Sequence, residues 1–492
     1  MNDIGMADSL DFTTAHFKAL LAETSRLVLQ RFEDIENAPG YHPVPQRQLE
    51  AWFNEPLPET AMDVSELLQE VETKILSTAT GNLGPHMYAY VMSGGNQVAI
   101  LAEQLAATIN QNQTKWHLAP ALNEVEKRVV AWTANLLGFP DDAGGVMVSG
   151  GSAANLTGLT VGRNLFFEKD EIRKKGLFGQ PPFVVYASEE VHGCVDKSVD
   201  LLGIGTNQLR KIPTNAQFQI RLDLLEQQLK KDLALGLRPF CVIGNAGTVN
   251  TGAIDDLDAL ADLAERYGLW YHIDGAYGAL AGILDPLVPA YRGMERADSL
   301  ALDFHKWFYV PFEAGCTLVR SWDHLKRTYF KKAAYLDTAP AQDGHRLEFN
   351  EHYFQLSRNA KAFKVWMTLK AYGLKAIKAM IQKDIDLAHY LDALVEASDD
   401  FELVARSPLA VSCFRYVGDM ENKTDILDFN RRLMPALEQD GRVFIMGTTL
   451  KGEYAIRACF INHRKTKATT ATLLEVIREV ALQLVLSTKP VV

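Results

Sequence analysis

The sequence lacks the features that mark several large protein classes. Its 492 residues include only five cysteines and no Cys-x-x-Cys pair, so we expect neither a disulfide framework nor a metal site. No apolar run reaches the ~18–20 residues that would span a bilayer. The first residues, MNDIGMADSLDF, are acidic where a signal peptide carries a basic region and then an apolar one. We therefore expect a cytoplasmic protein.

Basic residues are fewer than acidic ones. Lysine and arginine number 50 against 61 acidic residues, which gives a formal net charge of -11. This balance argues against a general nucleic-acid binder, which needs a basic face to replace counterions. A hydrophobic content of 47% in a chain of this length predicts a globular enzyme-sized protein of roughly two to four domains.

The first 96 residues are predicted to be helical and poor in core. One apolar stripe at helical spacing is formed by Phe17, Leu20, Leu21, Val28 and Phe32, and a second helix is expected around Val64–Leu76. Between them, Pro43, Pro45, Pro56 and Pro58 break the periodicity. We expect this segment, residues 1–96, to wrap a neighbour, either the rest of the chain or a second subunit.

Residues 97–375 alternate helical patterns with short apolar strands. The predicted strands are Gly145–Val148, Phe183–Tyr186, Phe240–Gly244, Leu269–Ile273, Ser299–Leu302 and Cys316–Val319. This alternation predicts an α/β fold, with a mainly parallel sheet covered by helices on both faces. Residues 376–492 predict a smaller α/β domain with strands at Phe401–Val404, Val411–Phe414 and Tyr454–Phe460.

Four chemically capable groups follow predicted strands, where ligands of such sheets bind. They are Asp274, Lys306, His192 and the glycine turn that precedes Ser152. Each alone is a weak signal, since surface lysines, capping aspartates and packing glycines are common. Together they satisfy the demands of pyridoxal phosphate, an aldehyde cofactor.

A lysine amine forms a Schiff base with that aldehyde, and a fixed carboxylate keeps the pyridine nitrogen protonated. Lys306 and Asp274 supply these two groups. Backbone N–H groups at a helix start, near Ser152 and Ala153, would hold the phosphate. His192 would lie flat over the ring, with the small Ala276 on the other side.

Four segments carry a family resemblance: SGGSAANL, GTVNTGAIDDLDAL, WYHIDGAYGA and ADSLALDFHKW. In this order they resemble the group II pyridoxal-phosphate-dependent amino-acid decarboxylases, from about Pro85 to Arg464. The resemblance implies a fold-type-I, aspartate-aminotransferase-like large domain and a small C-terminal domain. It also implies a homodimer whose active sites lie at the subunit interface.

The resemblance implies a role for each matching residue. Lys306 becomes the Schiff-base lysine, Asp274 the pyridinium partner and His192 the stacking and catalytic histidine. Phosphate contacts fall on Ser152, Ala153 and His305, and Thr248 lies near the ring. Tyr335 matches the tyrosine that protonates the carbanion after CO₂ leaves, or else it is only a packed aromatic. Arg457 matches an arginine that binds substrate carboxylate; the alternative is a buried arginine that bridges domains.

The family pattern also bears on the substrate. Tyr90 stands where glutamate decarboxylases carry a glutamine that reads the distal carboxylate. Aromatic-amino-acid decarboxylases resemble this chain in having an aromatic residue there. Lys115 and Trp116 are expected to line the same pocket, either of their own chain or of a second subunit. Ser357 matches a position associated with phenolic substrates. Lys115 keeps an acidic substrate open, because a buried ammonium pairs with a distal carboxylate.

The expected reaction is decarboxylation of an aromatic L-amino acid, such as tyrosine, dihydroxyphenylalanine or tryptophan, to the amine and CO₂. The family implies that it runs through an external aldimine and a quinonoid. The alternatives are an acidic or other substrate (glutamate, aspartate, cysteine sulfinate, 2,4-diaminobutyrate) and an aromatic aldehyde synthase. Two departures from the family pattern stand out. Asp303 and Phe304 precede His305 where many members have Asn and Pro, and Gly84-Pro85-His86 replaces a His-Pro pair.

Overall fold

The computed structural model describes residues 10–331 and 346–488. Its helices are α1 (Thr14–Glu33), α2 (Gln46–Phe53), α3 (Val64–Glu70), α4 (Gln97–Ile109), α5 (Pro120–Leu136), α6 (Gly151–Phe166), α7 (Ile172–Lys175), α8 (Cys194–Leu201), α9 (Leu222–Ala234), α10 (Leu257–Tyr267), α11 (Phe304–Trp307), α12 (Trp322–Tyr329), α13 (Lys361–Glu396), α14 (Lys423–Asp440) and α15 (Lys467–Thr488). Its strands are β1 (Gly144–Val148), β2 (Phe183–Ser188), β3 (Leu209–Ile212), β4 (Arg238–Asn245), β5 (Trp270–Asp274), β6 (Ser299–Asp303), β7 (Gly315–Val319), β8 (Phe401–Ala405), β9 (Val411–Tyr416), β10 (Met446–Leu450) and β11 (Glu453–Cys459).

A seven-stranded sheet forms the centre of the fold, in the order β1-β7-β6-β5-β4-β2-β3. Strands β2 to β6 pair in parallel, and β7 runs antiparallel to both β1 and β6. All residues of β1, β2, β5, β6 and β7 are buried, which explains their unbroken apolar sequences. The predicted α/β class with a mainly parallel sheet is confirmed.

Helix α6 lies close against the sheet because two of its residues have no side chain. A Cβ atom on Gly158 would lie 2.7 Å from the His272 ring, and one on Gly162 would lie 2.7 Å from the Trp270 ring. Both rings belong to β5. Side chains at these glycines would therefore push the helix away from the strand, whose carboxyl end faces the site described below.

The N-terminal segment is helical, as the apolar spacing predicts. Helix α1 contains the predicted stripe, and α3 continues into a π-helical turn at Val71–Leu76. The stripe is covered only in part, since Leu20 is 8% exposed while Phe17 is 54% exposed and Val28 is 40% exposed. Little of the main core lies here, and the expectation that this segment wraps a neighbour stays a prediction.

A second sheet of four antiparallel strands follows in the order β10-β11-β9-β8. Helix α13 leads into it and has non-helical backbone at Gly373, where φ is 74°. Helix α14 packs against this sheet, and α15 packs against α14 and α13. The boundaries predicted at 96/97 and 375/376 stay predictions. No helix in the described part of the chain is long and apolar enough to cross a membrane.

The sequence patterns do not predict two of the observed strands. β3 (LRKI) mixes apolar and charged residues at the edge of the large sheet, and β10 (MGTTL) is short and contains a glycine. Both pair with longer neighbours, so tertiary contacts decide their conformation rather than local preference.

Candidate active site

A cavity of about 290 Å³ opens where β4, β5 and β6 end and α6 begins. Eight of the predicted site residues line it together: Tyr90, Ser152, His192, Thr248, Asp274, Ala276, His305 and Lys306. They come from segments as far apart as residues 90 and 306. The convergence follows from the topology, because neighbouring parallel strands end at the same edge of the sheet.

Lys306 lies on the single helical turn α11, directly after β6. Phe304 and Trp307 on either side are fully buried, which fixes the turn against the core. The ring Nδ1 of His305 accepts a hydrogen bond from the backbone N–H of Ala314 at 3.1 Å. The hydroxyl of Ser93 donates to the His305 carbonyl at 2.7 Å, so the N-terminal segment also holds this turn.

The Lys306 amine forms an ion pair within the cavity. Its Nζ lies 2.9 Å from Oδ2 of Asp303, the last residue of β6. Nε2 of His305 lies 3.5 Å from the same oxygen. Burial lowers the pKa of His305, while the Asp303 charge acts in the opposite direction. The lysine side chain is 17% exposed, so it remains open to the cavity.

Asp274 closes β5 and is 7% exposed. One of its carboxylate oxygens accepts the backbone N–H of Ala276 at 3.2 Å. Asn245 at the end of β4 stands beside it in the sheet register. The carboxylate is thus fixed on a strand and directed into the cavity, as a partner for a buried cation requires.

The start of α6 offers a binding place for an anion. Gly150 precedes the helix and has no capping side chain, and the first N–H groups of a helix have no intrahelical acceptor. A Cβ on Gly151 would lie 2.7 Å from the Cβ of Ala276, so only glycine permits this close approach. Ser152 lines the cavity beside these groups, whereas Ala153 follows it in the helix and does not.

His192 and Thr248 face the cavity from two loops. Nδ1 of His192 accepts the backbone N–H of Cys194 at 3.2 Å. The Thr248 hydroxyl lies 3.0 Å from that of Thr251 and accepts the N–H of Ala253 at 3.1 Å. These bonds fix both side chains where they reach the cavity.

Three predicted substrate residues, Lys115, Trp116 and Ser357, do not line this cavity. Lys115 is buried, and Trp116 stacks under the guanidinium of Arg346 at 4.3 Å. Ser357 is exposed beside the buried Arg358. Whether Lys115, Trp116 and Ser357 line a pocket stays a prediction. Tyr335, the predicted proton donor, lies outside the described residues.

Arg457 borders the cavity through its hydrogen bonds. Its guanidinium donates to the carbonyl of Val249 at 2.8 Å and to that of Tyr90 at 2.9 Å, and both acceptor residues line the cavity. Its Nη2 is buried without a partner among the described residues. The arginine therefore joins β11 to both segments and keeps one donor free.

Glu190, Asn245 and Phe312 are among the lining residues that sequence reasoning missed. Asn245 directly follows the predicted strand Phe240–Gly244 and lies beside Asp274 in the sheet, and its place after a strand is a signal that would have found it. Burial raises the pKa of Glu190, and a hydrogen bond of 3.0 Å from Asn250 opposes that effect. Phe312 follows α11 in a loop that no pattern marks.

The cavity fits pyridoxal phosphate in most respects. It combines a primary amine, a fixed carboxylate, a histidine and an anion cradle at a helix start. The small Ala276 and Gly151 leave room between the amine and the cradle. One group is unexpected for a phosphate site, namely the buried carboxylate of Asp303.

Comparison with known proteins gives a consistent result. A family model, the pyridoxal-dependent decarboxylase conserved domain, matches residues 45–417. An aromatic-L-amino-acid decarboxylase of Bacillus atrophaeus is 32% identical over 476 residues, covering 96% of this chain and 97% of the relative. Phenylacetaldehyde synthase of Arabidopsis thaliana is 29% identical over 453 residues, with 89% and 91% covered.

Solved structures agree in fold. The structure of Oryza sativa TDC with PLP and tryptamine has a TM-score of 0.91 at 24% identity and covers 97% of this chain and 100% of its own. The glutamate decarboxylase domain of a Vibrio parahaemolyticus diaminobutyrate-pyruvate transaminase and L-2,4-diaminobutyrate decarboxylase has a TM-score of 0.85 at 26% identity. In that case 96% of this chain and 97% of the other are covered.

Proposed function

Because this chain belongs to the pyridoxal-dependent decarboxylases and uses pyridoxal 5′-phosphate, we propose that it decarboxylates an aromatic L-amino acid to the amine. The observation that carries the proposal is the charge of the cavity wall. Among the described residues, Lys306 is the only lysine or arginine that lines it, whereas Glu190 adds a carboxyl group. Among the lining residues a distal carboxylate would meet no cation besides Lys306, and the free Nη2 of Arg457 at the border of the cavity is assigned to the carboxylate that all amino acids share.

Tyr90 supports an aromatic side chain in the same place. The residue is 50% exposed, and its ring packs edge-on against Phe444, with centroids 6.2 Å apart. Aromatic rings favour such edge contacts with one another. The carbonyl of Tyr90 is held by Arg457, so the ring has a fixed backbone from which to contact a substrate.

When bound, the cofactor supplies an electron sink for the bond between Cα and the carboxylate. Lys306 is proposed to hold the aldehyde carbon, and Asp274 to hold the proton on the pyridine nitrogen. His192 would cover the ring face, while Thr248 stands beside it. Ser152, Ala153 and His305 are proposed to bind the phosphate at the start of α6.

Tyr335 is proposed to deliver the proton to Cα. A tyrosine at this position favours simple decarboxylation over oxidative deamination to an aldehyde. Aldehyde formation stays the second candidate, because one relative is a phenylacetaldehyde synthase. Lys115 keeps acidic substrates as a further alternative, if a partner subunit brings it to the cavity.

We further propose that two copies of the chain form the working enzyme. Leu101, Leu105 and Ile109 lie on one face of α4 and are each at least half exposed. Phe17 on α1 is exposed as well, and exposed apolar faces of this kind mark interfaces. Helix α4 follows directly on the segment that brings Tyr90 to the cavity, so a second copy here would lie beside the site.

Sedimentation velocity tests this pairing. We expect a dimer at micromolar concentration and a shift toward monomer for Leu105→Glu. A monomeric wild-type protein would overturn the proposal.

We also propose the cytoplasm as the compartment, since all five cysteines are buried and unpaired. Microscopy of a tagged chain tests that assignment.

Product analysis tests the function. The cofactor-loaded protein is given tyrosine, dihydroxyphenylalanine, tryptophan, phenylalanine, glutamate, cysteine sulfinate or 2,4-diaminobutyrate, and CO₂, amine, aldehyde and hydrogen peroxide are measured. We expect CO₂ and amine in equal amounts from at least one aromatic substrate. Turnover of non-aromatic substrates only would refute the aromatic assignment. Aldehyde with peroxide would refute the role of Tyr335.

A further inference from the structure

Asp303 is a buried carboxylate with an incomplete set of partners. It is 2% exposed, and its Oδ2 faces both Lys306 at 2.9 Å and His305 at 3.5 Å. Its Oδ1 is buried and has no hydrogen-bond partner among the described residues. A buried oxygen without a donor is costly, so this atom calls for a partner that the protein alone does not provide.

Glycines bring this carboxylate to the start of α6. A Cβ on Gly151 would lie 3.0 Å from Oδ2, and one on Gly315 would lie 2.8 Å from Oδ1. The backbone therefore passes close to both oxygens. Any phosphate that binds the N–H groups at the start of α6 lies next to Asp303 as well.

The charges around this place do not suffice for a phosphate dianion beside a carboxylate. Lys306 is the only lysine or arginine of the described chain that lines the cavity, and the cofactor's aldehyde engages its nitrogen. His305 is held neutral, because its Nδ1 already accepts the N–H of Ala314 and burial lowers its pKa. An added proton would have to displace that hydrogen bond.

The remaining neighbours add no cation. Asp274 lines the cavity from β5. Cys316 on β7 is buried, and burial raises the pKa of its thiol, with a smaller contribution in the same direction from the charges of Glu126 and Asp303. The charge of Lys364 on α13 contributes to the lowered pKa of His305, but this lysine is already paired with Glu103. Helix α6 contributes glycines and Ser152.

We propose that Asp303 takes up one proton when the cofactor binds and then donates a hydrogen bond from its O–H to the phosphate. This inference rests on the proposed role of Lys306 and of the α6 cradle. The proton comes from solvent, and it turns two facing anions into a donor and an acceptor. The phosphate oxygen also gives Asp303 the hydrogen-bond partner that it lacks. Asp303 thus acts as a positioning residue, and cofactor affinity depends on pH through it.

The test measures proton uptake on binding. Wild type and Asp303→Asn are titrated with pyridoxal 5′-phosphate by calorimetry at pH 8, in two buffers of different ionisation enthalpy. The amide of asparagine can donate an N–H hydrogen bond without first taking up a proton. On cofactor binding, the wild type should therefore take up about one proton more than the variant. Its affinity should fall about tenfold for each pH unit above neutrality relative to the variant. Protonation of the phosphate itself is common to both proteins.

Pyridoxal is the matched ligand, because it keeps the aldehyde and lacks the phosphate. With pyridoxal the two proteins should differ by no proton. Asp303→Ser replaces the Asn variant if circular dichroism shows that the latter is unfolded. Equal proton uptake, or parallel pH curves, would overturn the inference even if the enzyme decarboxylates normally. Failure of the Lys306 amine to react with either aldehyde would instead refute the proposed function.

Discussion

Nε2 of His272 lies 2.8 Å from Oδ1 of Asn155, so a buried hydrogen bond joins β5 to α6. The other ring nitrogen lies 2.8 Å from the hydroxyl of Ser299 on β6. His272 lies two residues before Asp274, and Asn155 lies four residues after Gly151. It therefore fixes the two halves of the site, the carboxylate and the anion cradle, relative to each other.

This histidine gives the first prediction, a loss of stability in acid. Burial lowers the pKa of His272 to about 3, below its ordinary value of 6.5. Between these pH values the unfolded chain takes up a proton that the folded chain refuses. Stability present at neutral pH is therefore lost as the pH falls below 6.5, by up to about 1.4 kcal/mol per pH unit from this group.

Urea unfolding at pH 7, 6 and 5 measures the effect. His272→Asn should be less stable at pH 7, and its stability should fall less steeply with acid by about one proton. Other buried histidines, such as His463, act equally in both proteins. Parallel curves for wild type and variant would contradict the account of His272.

Asp274→Asn should disable catalysis while the fold survives. An amide has no charge to hold a proton on the pyridine nitrogen, so we expect kcat/KM to drop about a hundredfold or more. Steady-state rates and the visible spectrum of the loaded enzyme report on this. Asp285→Asn, at an aspartate that is 93% exposed, serves as the control and should leave both unchanged. An Asp274→Asn enzyme with normal turnover would rule out the proposed role.

The buried pair of Arg358 and Glu126 should dominate stability near α5. The two side chains are 3% and 0% exposed, and Glu126 also accepts the backbone N–H of Met147 at 2.9 Å. Glu126→Ala leaves a buried guanidinium unpaired and should cost about 3–5 kcal/mol. On the same helix, Glu124→Ala removes an exposed pair with Lys127 and should cost less than about 1 kcal/mol. Equal unfolding midpoints for the two variants would be inconsistent with this difference.

Arg457 should distinguish amino acid from amine. Its free Nη2 is the donor that remains for a substrate carboxylate, whereas its other bonds go to backbone carbonyls. For Arg457→Lys we expect amino-acid binding to weaken about ten- to a hundredfold, with amine binding nearly unchanged. Spectral titration with tyrosine and tyramine makes the comparison. Equal weakening of both ligands would favour a purely structural arginine that bridges domains.

The sequence predicts the site residues that follow strands better than those that lie in loops or in long-range contacts. Asp274 and Lys306 follow apolar runs that could only be strands in an alternating pattern, so their convergence follows from parallel pairing. Glu190 and Phe312 lie in loops, whose course depends on contacts that are distant in sequence. The burial of Arg358 against Glu126 joins residues 232 positions apart, and no local pattern marks it.

Lys115 illustrates a further limit. Its neighbours Thr114 and Trp116 suggested a pocket segment, yet the lysine is buried away from the cavity of its own chain. Only a second subunit could bring this segment to a site, and one sequence cannot place a partner. The same reasoning applies to the exposed apolar face of α4.

Reductive trapping tests the central claim, that the chemistry is built on Lys306. The protein is loaded with pyridoxal 5′-phosphate, reduced with borohydride, digested and mapped by mass spectrometry, with Lys306→Ala as the matched control. We predict one phosphopyridoxyl group per chain on the peptide that contains Lys306, and none in the variant. A modification on another lysine, or an equal yield from the variant, would contradict the account.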